Sequence, residues 1–193
     1  SEKSPERGHC GGSVGRMVAC GQSHTLLLLW CDEVFGWGDN SIGQLGVGGG
    51  DDKEQRTEVA EPIKVESMCG RRISLLACGA CHSLFLSSSG IVWASGANSR
   101  GQLGLSFLSP RELSARQLPP PPQRDKREEE EEARVTFIAC GSHHSVLLLG
   151  DSSLCCCGDN SRGQLGIPAV SCEDKLRTVE MWKGRRGGGG GGG

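Results

Sequence analysis

Three histidines, His24, His82 and His144, each stand four residues after a cysteine and three after a glycine: Cys20-Gly-Gln-Ser-His24, Cys78-Gly-Ala-Cys-His82 and Cys140-Gly-Ser-His-His144. Imidazole and thiol together are the donors of zinc sites and the partners of nucleophile-base pairs. Cys78-Gly-Ala-Cys81 also has the spacing of a redox dithiol or of half a zinc site. Cys155-Cys156-Cys157 offers three adjacent thiols, and Gly46-Val-Gly-Gly-Gly50 could be taken for a phosphate cradle. Whether any of this is chemistry depends on the elements that carry it.

Those elements repeat. Residues 19–46, ACGQSHTLLLLWCDEVFGWGDNSIGQLG, align without a gap to 77–104, ACGACHSLFLSSSGIVWASGANSRGQLG, and to 139–166, ACGSHHSVLLLGDSSLCCCGDNSRGQLG, with 12 of 28 columns identical in all three. The offsets are 58 and 62 residues, so a constant unit alternates with a variable connection. In each unit a short apolar run, Leu26 to Trp30, Leu84 to Leu86 or Val146 to Leu149, is too short for a helix and reads as a buried strand. A polar turn and a second strand follow, at Val34 to Trp37, Ile91 to Ala94 and Leu154 to Cys157. Gly38, Asn40 and Gly43, with Gly96, Asn98 and Gly101 and with Gly158, Asn160 and Gly163, are residue types that accept positive φ and suit a tight turn. Strand hairpins recurring every 50 to 60 residues suggest blades of a β-propeller.

With a repeat in hand, the tempting sites read as architecture. Blades arrayed round an axis would hold His24, His82 and His144 apart, each imidazole pairing with backbone groups, so neither a metal nor a catalytic centre is expected. In the other copies Cys81 is replaced by Ser23 and His143, so only Cys20, Cys78 and Cys140 belong to the repeat, as small buried residues. Successive side chains of a strand face opposite ways, so Cys155, Cys156 and Cys157 cannot bind one ion without breaking the strand. Residues 46–50 lack the order of a nucleotide-binding glycine loop. No catalytic, cofactor-binding or metal-ligating residue is expected. The expected structural positions are Gly21, His24, Gly38, Asn40, Gly43, Gln44, Leu45 and Gly46, then Gly79, His82, Gly96, Asn98, Gly101, Gln102, Leu103 and Gly104, then Gly141, His144, Gly158, Asn160, Gly163, Gln164, Leu165 and Gly166.

The stretch W-G-D-N-S-x-G-Q-L-G at Trp37 to Gly46, preceded by G-x-x-H at Gly21 to His24 and echoed at 96–104 and 158–166, resembles the repeat of the regulator of chromosome condensation family. The tryptophan typical of that repeat stands at Trp37 but is replaced by Ser95 and Cys157. The resemblance implies an all-β fold, a partial propeller of about three four-stranded blades from a seven-bladed architecture. It implies a protein-interaction scaffold rather than an enzyme, with a guanine-nucleotide exchange regulator of a Ran-type GTPase as one form. Its protein partner would then be a small GTPase or chromatin. The alternative is a substrate-recognition fragment of a larger ubiquitin ligase or kinase, and a zinc or redox protein is the third reading.

The domain frame follows: a polar segment at 1–16, repeats over 17–167 (17–76, 77–138 and an incomplete 139–183), a disordered Pro/Glu-rich insertion at 118–133, and a glycine-rich tail at 184–193. A net charge of -2 supplies no global field toward nucleic acid, and direct nucleic-acid binding is not indicated. No apolar stretch approaches the roughly 20 residues needed to cross a bilayer, so membrane insertion is not expected. Eleven cysteines without an export signal suggest reduced thiols and an intracellular site, nucleus or cytoplasm. Lys183, Arg185 and Arg186 are expected to solvate the end of the chain rather than bind phosphate. No cofactor is expected.

Overall fold

Leu26 and Leu28 are fully buried while Thr25 and Leu27 are only half-covered, the two-residue period that puts alternate side chains on opposite faces of a strand. A computed structural model describes residues 14–48, 57–122, 134–168 and 170–179. They form β1 (Gly15–Cys20), β2 (His24–Leu29), β3 (Val34–Asp39) and β4 (Glu58–Lys64), then β5 (Ile73–Cys78), β6 (His82–Ser87), β7 (Val92–Ala97) and β8 (Arg111–Gln117). The last four are β9 (Val135–Cys140), β10 (His144–Leu149), β11 (Leu154–Asp159) and β12 (Cys172–Val179). Each consecutive four make one antiparallel sheet in chain order, so the fold is all-β with three four-stranded blades. Among the described residues the helical content is a single 3-10 turn, Glu66–Met68.

The register is the same in every blade: His24 faces Gly38, His82 faces Gly96, and His144 faces Gly158. Gly38, Gly96 and Gly158, expected in a tight turn, instead lie inside β3, β7 and β11 where the pairing with β4, β8 and β12 shifts, and their φ of 99°, 99° and 108° accommodate that bulge. The strands also start earlier than expected, at the histidines. The run at Leu26 to Trp30 stops at Leu29, because Trp30 turns outward, its ring under the Arg16 guanidinium at 5.3 Å.

The core lies between blades rather than within them. One seam joins Leu26, Leu28 and Leu45 to Ile73, Phe85 and Trp93; the other joins Leu84, Leu86 and Leu103 to Ile138, Leu147 and Cys155. Each fully buried large side chain contributes roughly 1.5–3 kcal/mol, so the seams carry most of the apolar stabilisation. Strand β1 packs on β5, and β5 on β9, which sets the blades side by side. Because β5 and β9 pair with the hairpins that follow them, the sheet frame runs one strand ahead of the repeat frame at 76/77 and 138/139.

Leu118, at the start of the Pro/Glu-rich insertion, is buried and donates its N–H to the Val92 carbonyl at 2.9 Å. Pro119, Pro120 and Pro121 line a cavity of about 660 Å³ with Ile91, Arg134 and Leu176. The polar start at 1–13, Gly49 and Gly50 of the glycine run, 123–133 of the insertion, and the tail with Lys183, Arg185 and Arg186 lie outside the described residues. No helix among the described residues is long and apolar enough to cross a membrane.

Candidate functional site

The G-x-x-H turn explains itself sterically. A Cβ on Gly21 would fall onto the His24 imidazole and close to the Gly79 carbonyl; Gly79 stands in the same relation to His82 and to the Gly141 carbonyl. Glycine is therefore needed for each ring to lie over its own turn. Consecutive turns touch, with Gln22 N–H donating to the Ala80 carbonyl and Ala80 N–H to the Ser142 carbonyl, both at 3.1 Å. The expectation that blades hold these segments apart is corrected here: they adjoin, but His24 and His82 each reach into the next blade instead of toward a common point.

What they reach is a serine. His24 Nε2 lies 2.8 Å from Ser83 Oγ, and His82 Nε2 lies 3.0 Å from Ser145 Oγ. Ser83 Oγ donates onward to the Gln44 carbonyl and Ser145 Oγ to the Gln102 carbonyl, each at 2.7 Å. A hydroxyl has one proton, so each serine must accept from its histidine, which places a proton on Nε2. The expected pairing of imidazole with backbone is thus corrected to a relay through the next blade's hydroxyl, which satisfies the Gln carbonyl as well. Burial pushes the His24 pKa down to about 4 despite the Asp39 charge. Burial, and then the neighbouring histidines, push His82 down to about 3. Neutral imidazoles are what a desolvated seam favours.

The N-S-x-G-Q-L-G segment closes on itself. Asn40 Oδ1 accepts from Leu45 N–H at 3.1 Å, Asn98 Oδ1 from Leu103 N–H at 3.1 Å, and Asn160 Oδ1 from Leu165 N–H at 3.0 Å. The Gln44, Gln102 and Gln164 carboxamide oxygens accept from Ile42, Arg100 and Arg162 N–H. Leu45, Leu103 and Leu165 plug the base, each buried to 2% exposure or less. The turn glycine then meets the next blade: a Cβ on Gly43 would strike Leu113 and Glu112 of β8, and one on Gly101 would strike Asp174 and Glu173 of β12. At Gly163 it would meet nothing within 4 Å.

Sequence reasoning missed the serines and the charges at the seams. Thr25, Ser83 and Ser145 form a hydroxyl column directly after the histidines, a signal that was available. Arg100 Nη1 reaches Asp159 Oδ1 across the second seam at 3.0 Å. Burial disfavours the Asp159 charge, but hydrogen bonds from Ser161 and Gln164, with Arg100, hold its carboxyl below the usual range. Ion pairs Glu112–Arg116 and Glu173–Arg177 lie along β8 and β12.

The repeat thiols, expected as small buried residues, are less covered than that: Cys20 at the end of β1 is exposed, and Cys78 and Cys140 are half-buried. Burial pushes Cys78 up to about 12 and also raises Cys81, so neither is poised as a thiolate. Cys155, Cys156 and Cys157 are all fully buried. Cys155 and Cys157 enter the second seam, and Cys156 turns the other way toward the Leu165 carbonyl at 3.3 Å. Among the described residues no group of three or more His, Cys, Asp or Glu could hold a metal ion.

Three like blades, stitched by a histidine-serine relay and by a turn that docks on the following sheet, define an arc of a β-propeller built as a scaffold. The chain belongs to the regulator of chromosome condensation (RCC1) repeat family: models of that repeat match residues 32–86 and 89–148, and 73–102 and 135–164. It is 44% identical over 95 residues to the probable E3 ubiquitin-protein ligase HERC3 of Homo sapiens, covering 49% of this chain and 9% of that protein. It is 30% identical over 105 residues to the X-linked retinitis pigmentosa GTPase regulator of Canis lupus familiaris, covering 54% of this chain and 10% of that one. Among solved structures, human WBSCR16 superposes with a TM-score of 0.73 at 24% identity, over 89% of this chain and 41% of that chain. Prp20p of Saccharomyces cerevisiae superposes at 0.70 and 20% identity, over 86% and 38%. The chain thus spans about a tenth of these curated relatives and about two-fifths of these solved neighbours.

Proposed function

We propose that the chain is a non-catalytic protein-interaction scaffold that presents the loops between its strands to a protein partner. The observation that carries this is the use made of the repeat's polar residues. His24, His82, Ser83, Ser145, Asn40, Asn98, Asn160 and the three glutamines serve seams and turns, while the loops between strands differ from blade to blade. The repeat positions from Gly21 to Gly166 are its structural frame within 17–167, and the Pro/Glu-rich 118–133 is a spacer. Three blades that match 38–41% of the solved neighbours fit a parent ring of about seven.

The finer reading is a guanine-nucleotide exchange regulator of a Ran-type GTPase, in nucleus or cytoplasm. Its support is the likeness to Prp20p, whose structure is described with its binding to Gsp1p and histones. Release of a fluorescent guanine nucleotide from a Ran-type GTPase should speed up when the chain is added. An unchanged release rate together with no complex on a sizing column removes this reading. The alternative, substrate recognition for a larger ligase, is supported by the 44% identity to HERC3. A ligase domain in the same transcript decides for it.

A further inference from the structure

Four consecutive prolines, Pro119 to Pro122, follow the end of β8, and their chemistry dictates their shape. A proline ring holds φ at about −65°, and a residue that precedes proline is driven to extended ψ, so the run is held in a left-handed polyproline helix of three residues per turn. Pro119 and Pro122 therefore share one edge, with Pro120 and Pro121 on the other two. Burial follows that period: Pro119, Pro120 and Pro122 are exposed, and Pro121 is half-buried. The start of the run is anchored, because the preceding Leu118 is buried and bonded to the Val92 carbonyl at 2.9 Å. Hollows flank it, one lined by Ile91, Arg134 and Leu176 and the other by Leu105, Phe107 and Arg116, so the prolines stand as a ridge.

A ridge already in its bound shape loses little conformational entropy on docking, and its flat rings fit slots between parallel aromatic side chains. Charge narrows the partner further. Arg134 lines the same hollow as Pro119 to Pro121, and Arg71 and Arg72 line the next hollow, which shares Ser89 and Ile91 with it. All three arginines are exposed, and none pairs with a carboxylate among the described residues. The Arg134 guanidinium donates to the Ser88 carbonyl, and the Arg71 guanidinium lies over the Trp93 ring at 4.7 Å, so both charges are held beside the ridge. An aromatic groove that ends in carboxylates meets rings and cations together. A groove that also requires a tyrosine in its ligand is excluded, because the chain has none.

We propose that Pro119 to Pro122 is a docking ligand for a protein domain of the SH3 type, whose aromatic-lined groove takes the edge carrying Pro119 and Pro122 and whose carboxylates meet Arg134 and Arg72. The P-x-x-P spacing that such grooves read is the spacing of that edge. This goes beyond the scaffold reading, in which the same run is a spacer, and stands without it.

The test is titration of isotope-labelled SH3 domains whose grooves end in carboxylates with the whole chain, followed by nuclear magnetic resonance. Amide signals of the groove should shift. Pro119→Ala combined with Pro122→Ala should weaken binding by about tenfold or more, as loss of an anchor does. Pro121→Ala, on the edge turned toward the blades, should change it by no more than about twofold, since the ring it removes is not among those the groove reads. Arg134→Glu should weaken binding by about tenfold and Arg134→Lys should keep it. An unchanged melting temperature checks that each variant folds. Absence of shifts in every such domain overturns the proposal. Binding that survives the double proline variant overturns it too, as does Pro121→Ala costing as much as that variant, because the edge would then not be what is read.

Discussion

At Ser83 one hydroxyl joins two blades, accepting from His24 and donating to the Gln44 carbonyl. Ser83→Ala would leave a buried donor and a buried acceptor unpaired, and each such loss costs about 1–3 kcal/mol. Urea unfolding should show a midpoint lowered accordingly, and Ser145→Ala should match it. An unchanged midpoint for both would mean that the relay carries no weight. The histidines add a pH dependence of defined sign. Their folded pKa values, about 4 for His24 and about 3 for His82, lie below the 6.5 of the unfolded chain. Between 6.5 and the folded values the unfolded state binds more protons, so their contribution is complete above 6.5 and is lost as pH falls toward 4 and 3. The slope is at most about 1.4 kcal/mol per pH unit for each histidine. Stability should therefore drop between pH 7 and pH 5, and His82→Gln should flatten the drop; equal stability at both pH values contradicts the buried neutral state.

The turn segment shows how an element's worth depends on what lies next to it. Gly101 and Gly163 hold the same place in N-S-R-G-Q-L-G, with φ of 77° and 74°, so alanine strains the backbone alike at both. Only at Gly101 would the new methyl also strike β12. Gly101→Ala should therefore be destabilising by roughly 2 kcal/mol more than Gly163→Ala, the overpacking cost of a filled site. Thermal melts of the two variants make the comparison; equal melting temperatures would show that the turn does not dock. Much at this scale was legible beforehand, since glycine, asparagine and the G-Q-L-G run recur as identical columns and their residue types dictate a turn. The histidine's partner was not, because Ser83 lies 59 residues from His24 and only seam packing brings them together. The Arg100–Asp159 pair was hidden further, since its positions read Ile, Arg, Arg and Asp, Ala, Asp along the copies. Charge at one seam and its absence at the other is no repeat signal.

Among the described residues the three blades form a row in which the middle one is covered on both faces. In such an array stability is a sum of each unit's own contribution and its contacts with neighbours, so the ends open first. Every side chain of β6 is buried, whereas β2 and β10 alternate buried and half-covered positions. Amide hydrogen exchange in dilute solution should then be slowest in β6 and β7 and faster in β2, β3, β10 and β11. Exchange that is uniform over the three blades would contradict a row held together at its seams.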